Sequence, residues 1–283
     1  FSNSSVFLYY HIESEKLYAI KAFNNGDKLK KREINNYMNI KYPFIPNYYG
    51  KILGNSNLFV IEYINGRTFD YIKKDELNFN QKLTIIIELL HTFQYLHGKN
   101  FIYRDLKPNN LILDKNYHVV LIDFDRMINI KEKIENEDLD FTRDFNPDFV
   151  DPKINEKEYK PSFENDIYSI GKFINFIFNE NLDSINNKYN NDELNNCLKD
   201  KLKERPSLSE IIMIFGSLEN KVSLMNIAEQ IVENQNNATA QNNLGIIYYE
   251  GEYIERDINK SIHYFSLAAD QNYATAQKNL GII

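Results

Sequence analysis

Cysteine is nearly absent. Cys197 stands alone in 283 residues, so no internal disulfide framework forms, and the chain fits a reducing, intracellular compartment, the cytoplasm. Positive charge is in deficit, with 33 Lys and Arg against 40 Asp and Glu and a formal charge of −7. That balance leaves no broad basic surface for a phosphate backbone and argues against non-specific nucleic-acid binding. Long apolar runs are missing too. The best candidates, 83–93 and 167–178, are interrupted by Glu88 and His91 and by Lys172 and Asn175, short of the roughly 18 apolar residues a membrane span needs. Tryptophan is absent while Asn, Ile, Lys and Tyr abound, a coding bias to which no function attaches.

What remains is ordinary for a soluble globular chain, 43% hydrophobic and 26% charged, long enough for a two-lobed unit with an appendage. It opens at Phe1 without Met and stops at Ile283 inside a repeat, and so reads as an excerpt of a longer protein.

Residues 6–63 read as strands (6–11, 17–23 and 58–63) separated by turns and interrupted by one helix over 28–40. From Asn80 the apolar period changes: Leu83, Ile86, Ile87, Leu90 and Phe93 mark a helix with one buried face. A hairpin follows, 111–113 and 119–122 around the turn 114–116. Residues 129–160 lack periodicity and form a long loop, the kind that usually carries function. Ile167, Ile170, Ile174 and Ile177 mark another helix, and the Asn- and Asp-rich stretch 179–196 a surface connection.

The C-terminus repeats. Ala238-Thr239-Ala240-Gln241 with Leu244-Gly245-Ile246-Ile247 recurs as Ala274-Thr275-Ala276-Gln277 with Leu280-Gly281-Ile282-Ile283. A period in the 30s is the mark of a helix-turn-helix solenoid. Leu244, Ile247 and Tyr248 stripe one helix, Gly251 breaks it, and Ile262, Phe265 and Ala269 stripe the next.

Between the long helix and the hairpin lies Tyr103-Arg104-Asp105-Leu106-Lys107-Pro108-Asn109-Asn110. By itself an Arg-Asp pair is an ordinary polar turn, but this segment resembles the catalytic loop of protein kinases, and its companions stand in family order. Tyr18-Ala19-Ile20-Lys21 resembles the phosphate-binding Val-Ala-Ile-Lys. Glu33 follows on the next helix, and Asp123-Phe124-Asp125 stands where the family has Asp-Phe-Gly. Asp166-Ile167-Tyr168-Ser169-Ile170-Gly171 and Arg205-Pro206-Ser207 match two later landmarks. The C-terminal unit looks like Sel-one-like repeats, relatives of the tetratricopeptide family.

The kinase resemblance implies an α+β, bilobal fold with a small β-rich N-lobe, 1–63, and a mainly helical C-lobe, 64–216. A linker or helix, 217–237, and helical repeats, 238–283, follow. It implies ATP and Mg²⁺ as cofactors and protein Ser/Thr hydroxyls as acceptors. Asp105 would take the acceptor proton, Lys107 touch the transferring phosphate, and Asn110 and Asp123 hold the metal ion. Lys21, paired with Glu33, would bind the α- and β-phosphates. Ile61 would form the back wall of the adenine pocket, with backbone groups of Glu62 to Ile64 on its edge.

Arg104 suggests control by an anion, and Thr142 is the hydroxyl residue between Arg126 and Lys153 expected to be phosphorylated, unless the acidic run 135–140 supplies the charge. The helical repeats are expected to recruit protein partners.

Several positions depart from the family pattern. Residues 1–6 lack phosphate-cradling glycines, and Asp125 replaces a glycine at a hinge that often needs unusual backbone angles. Tyr103 stands for His. Lys153 stands for the Glu that partners Arg205, so Glu156 or Glu158 is expected to compensate. These departures support the alternative, a pseudokinase or scaffold acting through the repeat array.

Overall fold

The computed structural model describes residues 4–23, 28–52, 54–132, 146–155, 159–178, 194–216, 238–250 and 256–283. Two compact units emerge, the first comprising Phe1–Leu182 with Glu193–Ile212, the second Asp183–Asp192 with Met213–Ile283.

The first unit starts with an antiparallel four-stranded sheet in the order β1-β2-β4-β3. Its strands are β1 (Ser4–His11), β2 (Lys16–Phe23), β3 (Tyr48–Ile52) and β4 (Asn55–Glu62). The two-residue period of β2 turns Ala19, Lys21 and Phe23 inward, all buried. Lys21 lies opposite Phe59 and Ala19 opposite Ile61, so a lone cation enters an otherwise apolar face. Strand β3 was not expected from sequence. Gly50, at φ 134°, sits beside a register shift, and the bulge erases the alternation by which a strand is read.

Helix α1 (Lys28–Asn39) buries Glu33, Ile34, Asn36 and Tyr37, with Tyr37 T-shaped on Phe124 and tilted on Phe59. The anticipated long helix is α2 (Phe79–Gly98). Its N-terminus is set by a capping box in which Asn78 accepts from the Gln81 amide at 2.9 Å while Gln81 returns the bond to the Asn78 amide.

Strands β5 (Gly66–Thr68), β7 (Leu111–Asp114) and β8 (Val119–Leu121) form a second sheet, while β6 (Phe101–Ile102) and β9 (Ile128–Asn129) pair by themselves. The β7–β8 turn is the predicted one, closed by Asp114 Oδ1 accepting from the Asn116 and His118 amides. Where β5 crosses β7 only glycine fits, because a Cβ at Gly66 would stand 2.3 Å from the Leu113 carbonyl oxygen. Helix α3 (Phe163–Phe178) and the first part of α4 (208–216), as far as Ile212, complete the helical part. Among the described residues no helix is long and apolar enough to cross a membrane. The β-rich beginning and helical remainder are the expected α+β, two-lobed arrangement.

The second unit contains α5 (Ala238–Glu250), α6 (Ile258–Asp270) and α7 (Ala274–Leu280). Leu244, Tyr248 and Tyr264 form one cluster and Phe265, Ala268 and Ala276 another. Of the stripe expected on α6, Phe265 is buried and Ala269 packs partly buried against its cluster, but Ile262 departs. Ile262 is exposed, and Ser261 is buried in its place because its hydroxyl donates to the Gly245 carbonyl at 2.8 Å. Gly251 and the connection 217–237 lie outside the described residues.

Candidate active site

A cavity of about 380 Å³ opens beside the four-stranded sheet. The sheet contributes Val6, Ala19, Lys21, Ile61 and Glu62 to it, the chain segment after β4 contributes Tyr63 and Ile64, and Ile112, Ile122 and Asp123 come from the second sheet and the segment after it. The apolar walls and two charged groups at one end suit a flat heterocycle carrying an anionic tail. Ile61, buried in β4, lines this cavity. At the expected edge, the Glu62 amide is already spent on the Asn47 carbonyl at 2.8 Å and its carboxylate on the Asn47 side chain at 2.7 Å.

Lys21 Nζ donates to Glu33 Oε1 at 2.7 Å and to Asp123 Oδ1 at 2.8 Å. Burial pulls the ammonium pKa down, but the two carboxylates outweigh burial and hold it above its ordinary value. Glu33 is fully buried and its pKa is raised to about 8, by burial first and by the Asp123 and Asp125 charges, with the Lys21 ammonium opposing. One ammonium is thus shared between carboxylates, and it is the lysine that stays firmly charged. Asp123 adopts φ 66°, the left-handed region that Asp visits more readily than most residues. The unusual angle expected at Asp125 belongs instead to Asp123. Asp125 is largely buried, and burial, then the Asp123 charge, raise its carboxyl to about 6.

The loop bearing Asp105 is held from beneath by Asp166, which is fully buried. Its carboxylate accepts from the Tyr103 amide at 2.9 Å, the Arg104 amide at 2.8 Å and His97 Nε2 at 2.9 Å. Those bonds sustain Arg104 at φ 73°, a strained angle for a long side chain. Tyr103 fills its place with its ring T-shaped on Phe93 and Phe124 and its hydroxyl donating to the Ile122 carbonyl.

Asp105 receives both Lys107 Nζ, at 3.1 and 2.9 Å to its two oxygens, and Asn110 Nδ2 at 2.8 Å. Burial raises its carboxyl and Lys107 opposes the rise. A buried carboxylate fixed by two side-chain donors has the form of a positioned base.

Arg104 is buried. Its guanidinium is lowered to about 10, by burial first and by Arg32 and Arg126 nearby, while Tyr159 and Asp166 oppose. Tyr159 bonds to Arg104 and to Asn165 Oδ1, the latter at 3.0 Å. Thr142 and the acidic run 135–140 lie outside the described residues.

The compensation expected for Lys153 comes from elsewhere. Asp151 supplies the carboxylate to Arg205, bidentate through Nη1 and Nη2, and Asn165 Nδ2 adds a third donor at 2.7 Å. Pro152 lies between the two positions, so the charge has moved two residues toward the N-terminus. Glu156 and Glu158 lie outside the described residues.

Sequence reasoning missed Asn36, His97, Asp151 and Tyr159. Asn36 stood three residues from Glu33, hence on the same helix face, which is a signal that helical spacing carries. His97 and Tyr159 had none.

With this geometry, similarity to known proteins is coherent. Residues 2–214 match the protein kinase domain family model, and 238–273 match that of the Sel1 repeat. A similar relative is serine/threonine-protein kinase Sgk1-B of Xenopus laevis, 33% identical over 168 residues, covering 56% of this chain and 38% of that protein. Serine/threonine-protein kinase Sgk1 of Danio rerio and of Homo sapiens are each 32% identical over 168 residues with the same coverage. The chain belongs to the protein kinase domain family. It spans well under half the length of these curated relatives.

Proposed function

We propose that this chain phosphorylates protein serine or threonine hydroxyls at the expense of ATP, with Mg²⁺. The observation that carries the reading is the joining of three remote segments at one end of the cavity. Lys21 links α1 to Asp123, and Asp105 stands nearby in a fully donated setting.

In this reading the base moiety occupies the apolar slot walled by Ala19, Ile61 and Ile112, and Lys21 meets the α- and β-phosphates. Asp123 would hold Mg²⁺ through a carboxylate oxygen and Asn110, whose Nδ2 is spent on Asp105, through its amide oxygen. When bound, the ion neutralises charge on the phosphates. Asp105 orients the acceptor hydroxyl and takes its proton as the new oxygen–phosphorus bond forms and the bond to ADP breaks. Lys107, 2.9 Å from Asp105, balances charge on the transferring group. Arg104 beside Tyr159 ties the loop to the segment that precedes α3, and phosphorylation of Thr142 would add an anion to the basic group of Arg32, Arg104 and Arg126. We assign the kinase domain to 1–216 and the repeats to 238–283.

Asp125 and the glycine-free approach to β1 favour a second reading, a scaffold that recruits protein partners through the helical repeats. Transfer of labelled γ-phosphate to a generic Ser/Thr protein substrate separates them. Mg²⁺-dependent transfer that Asp105→Asn abolishes supports the first reading, and no transfer by the folded chain supports the second.

A further inference from the structure

Asn36 is buried on α1, and its single amide nitrogen donates twice, to the Phe124 carbonyl at 2.7 Å and to the Met127 carbonyl at 2.9 Å. These oxygens are the two ends of a tight turn, since the Met127 amide also approaches the Phe124 oxygen, at a long 3.4 Å. At the middle of that turn sit Asp125 and Arg126. Its entry is Asp123, at φ 66°, whose charge acts on the carboxyl of Asp125 two positions on.

Such a turn has two reasons to open: strain at a non-glycine residue and repulsion between carboxylates two positions apart. Its own closing hydrogen bond is too long to oppose them. Asn36 closes it from outside, and the chemistry required is specific. Only a side-chain –NH₂ on a short stem supplies two protons to two carbonyls at once. Asp would present acceptors to acceptors, Leu nothing, and Ser a single proton.

Asn36 also stands in series with its neighbours on α1. Glu33 reaches Asp123 through Lys21, and the Tyr37 ring lies 4.9 Å from the Phe124 centroid. We infer that Asn36 is a positioning residue: its amide clamps the Phe124–Met127 turn to α1 and so fixes the Asp123 carboxylate beside Lys21. The role in phosphoryl transfer rests on the kinase reading above; the clamp itself does not.

The test uses the whole 283-residue chain as wild type, Asn36→Leu and Asn36→Ser. Hydrogen exchange is measured without nucleotide, and phosphoryl transfer separately. Loss of both bonds should speed exchange of amides 125–128 by about tenfold in Asn36→Leu and less in Asn36→Ser, with α2 amides unchanged. Transfer should lose kcat by a comparable factor at constant acceptor KM. Wild-type exchange rates at 125–128 in both variants, or acceleration shared equally by α2 in Asn36→Ser, would overturn the clamp. A wild type that transfers nothing yet shows the local acceleration on substitution keeps the clamp and removes the kinase reading. An active wild type with unaltered exchange in both variants does the reverse.

Discussion

The two units solve the same problem, buried polar groups, in opposite ways. In the kinase unit the partners come from far along the chain: Lys21 with Asp123, Asp166 with Tyr103 and Arg104, Arg205 with Asp151. In the repeat unit they come from the next helix or the one after. Gln271 donates to Gln241 at 2.6 Å, Asn279 to Asn242 at 3.1 Å and Ser261 to Gly245. The three long-range ties are charged and assemble a unique site, whereas the three ties between repeat helices are neutral and specify stacking rather than chemistry.

Substitutions that break one kind of tie should therefore differ in kind as well as size. Lys21→Met removes the cation shared by Glu33 and Asp123 and should lower phosphoryl transfer about 100- to 1,000-fold in steady-state assays. Asp151→Ala strands the buried Arg205 guanidinium and should cost about 3–5 kcal/mol in denaturant unfolding of the kinase unit. Equal loss in Lys153→Ala would contradict the assignment of Asp151 as partner.

On the repeat side, Gly245→Ala would set a Cβ 2.6 Å from the Phe265 ring. Overpacking of that kind costs about 1–3 kcal/mol, read as faster hydrogen exchange in α5 and α6.

The smallest effect is pH-dependent. His118 is half exposed, and its hydrogen bond to Glu88, 2.6 Å away, holds its pKa above the ordinary value. A folded pKa above the unfolded one stabilises fully below about pH 6.5, and the gain fades as pH rises through the folded value. His118→Gln should flatten that slope in thermal unfolding measured from pH 5 to 9, by a small margin because solvent screens the pair.

How much of this was legible depended on whether a residue's partner lay close in sequence. The hairpin turn at Asp114, the α2 face and the 36-residue repeat offset (274 − 238) rest on local pattern, and all appear in the structure. Lys21, Glu33, Asp105, Asn110 and Asp123 were found because they form a motif in fixed order, and the structure brings Lys21 to Glu33 and Asp123, and Asn110 to Asp105. What failed was non-local. No pattern links Arg205 to Asp151 across 54 positions, and the partner was sought at Glu156 or Glu158 because only the position of the missing Glu was known. Ile262 misled for a related reason: hydrophobicity ranked it above Ser261, but the Gly245 carbonyl one helix away decided which side chain faced inward.

The Asp166 carboxylate has a temporal meaning as well as a spatial one. A chain emerging from the ribosome that has reached Asn110 already carries every residue of the loop around Asp105, yet the acceptor that holds the Tyr103 and Arg104 amides is 62 positions beyond Arg104. Until α3 has been made and has docked, the Asp166 bonds that support Arg104 at its positive φ are missing, because contacts so distant in sequence are among the last to be rewarded during folding. The loop should therefore reach its working shape only as the helical part closes, and a partly synthesised chain would bear the motif without being a catalyst.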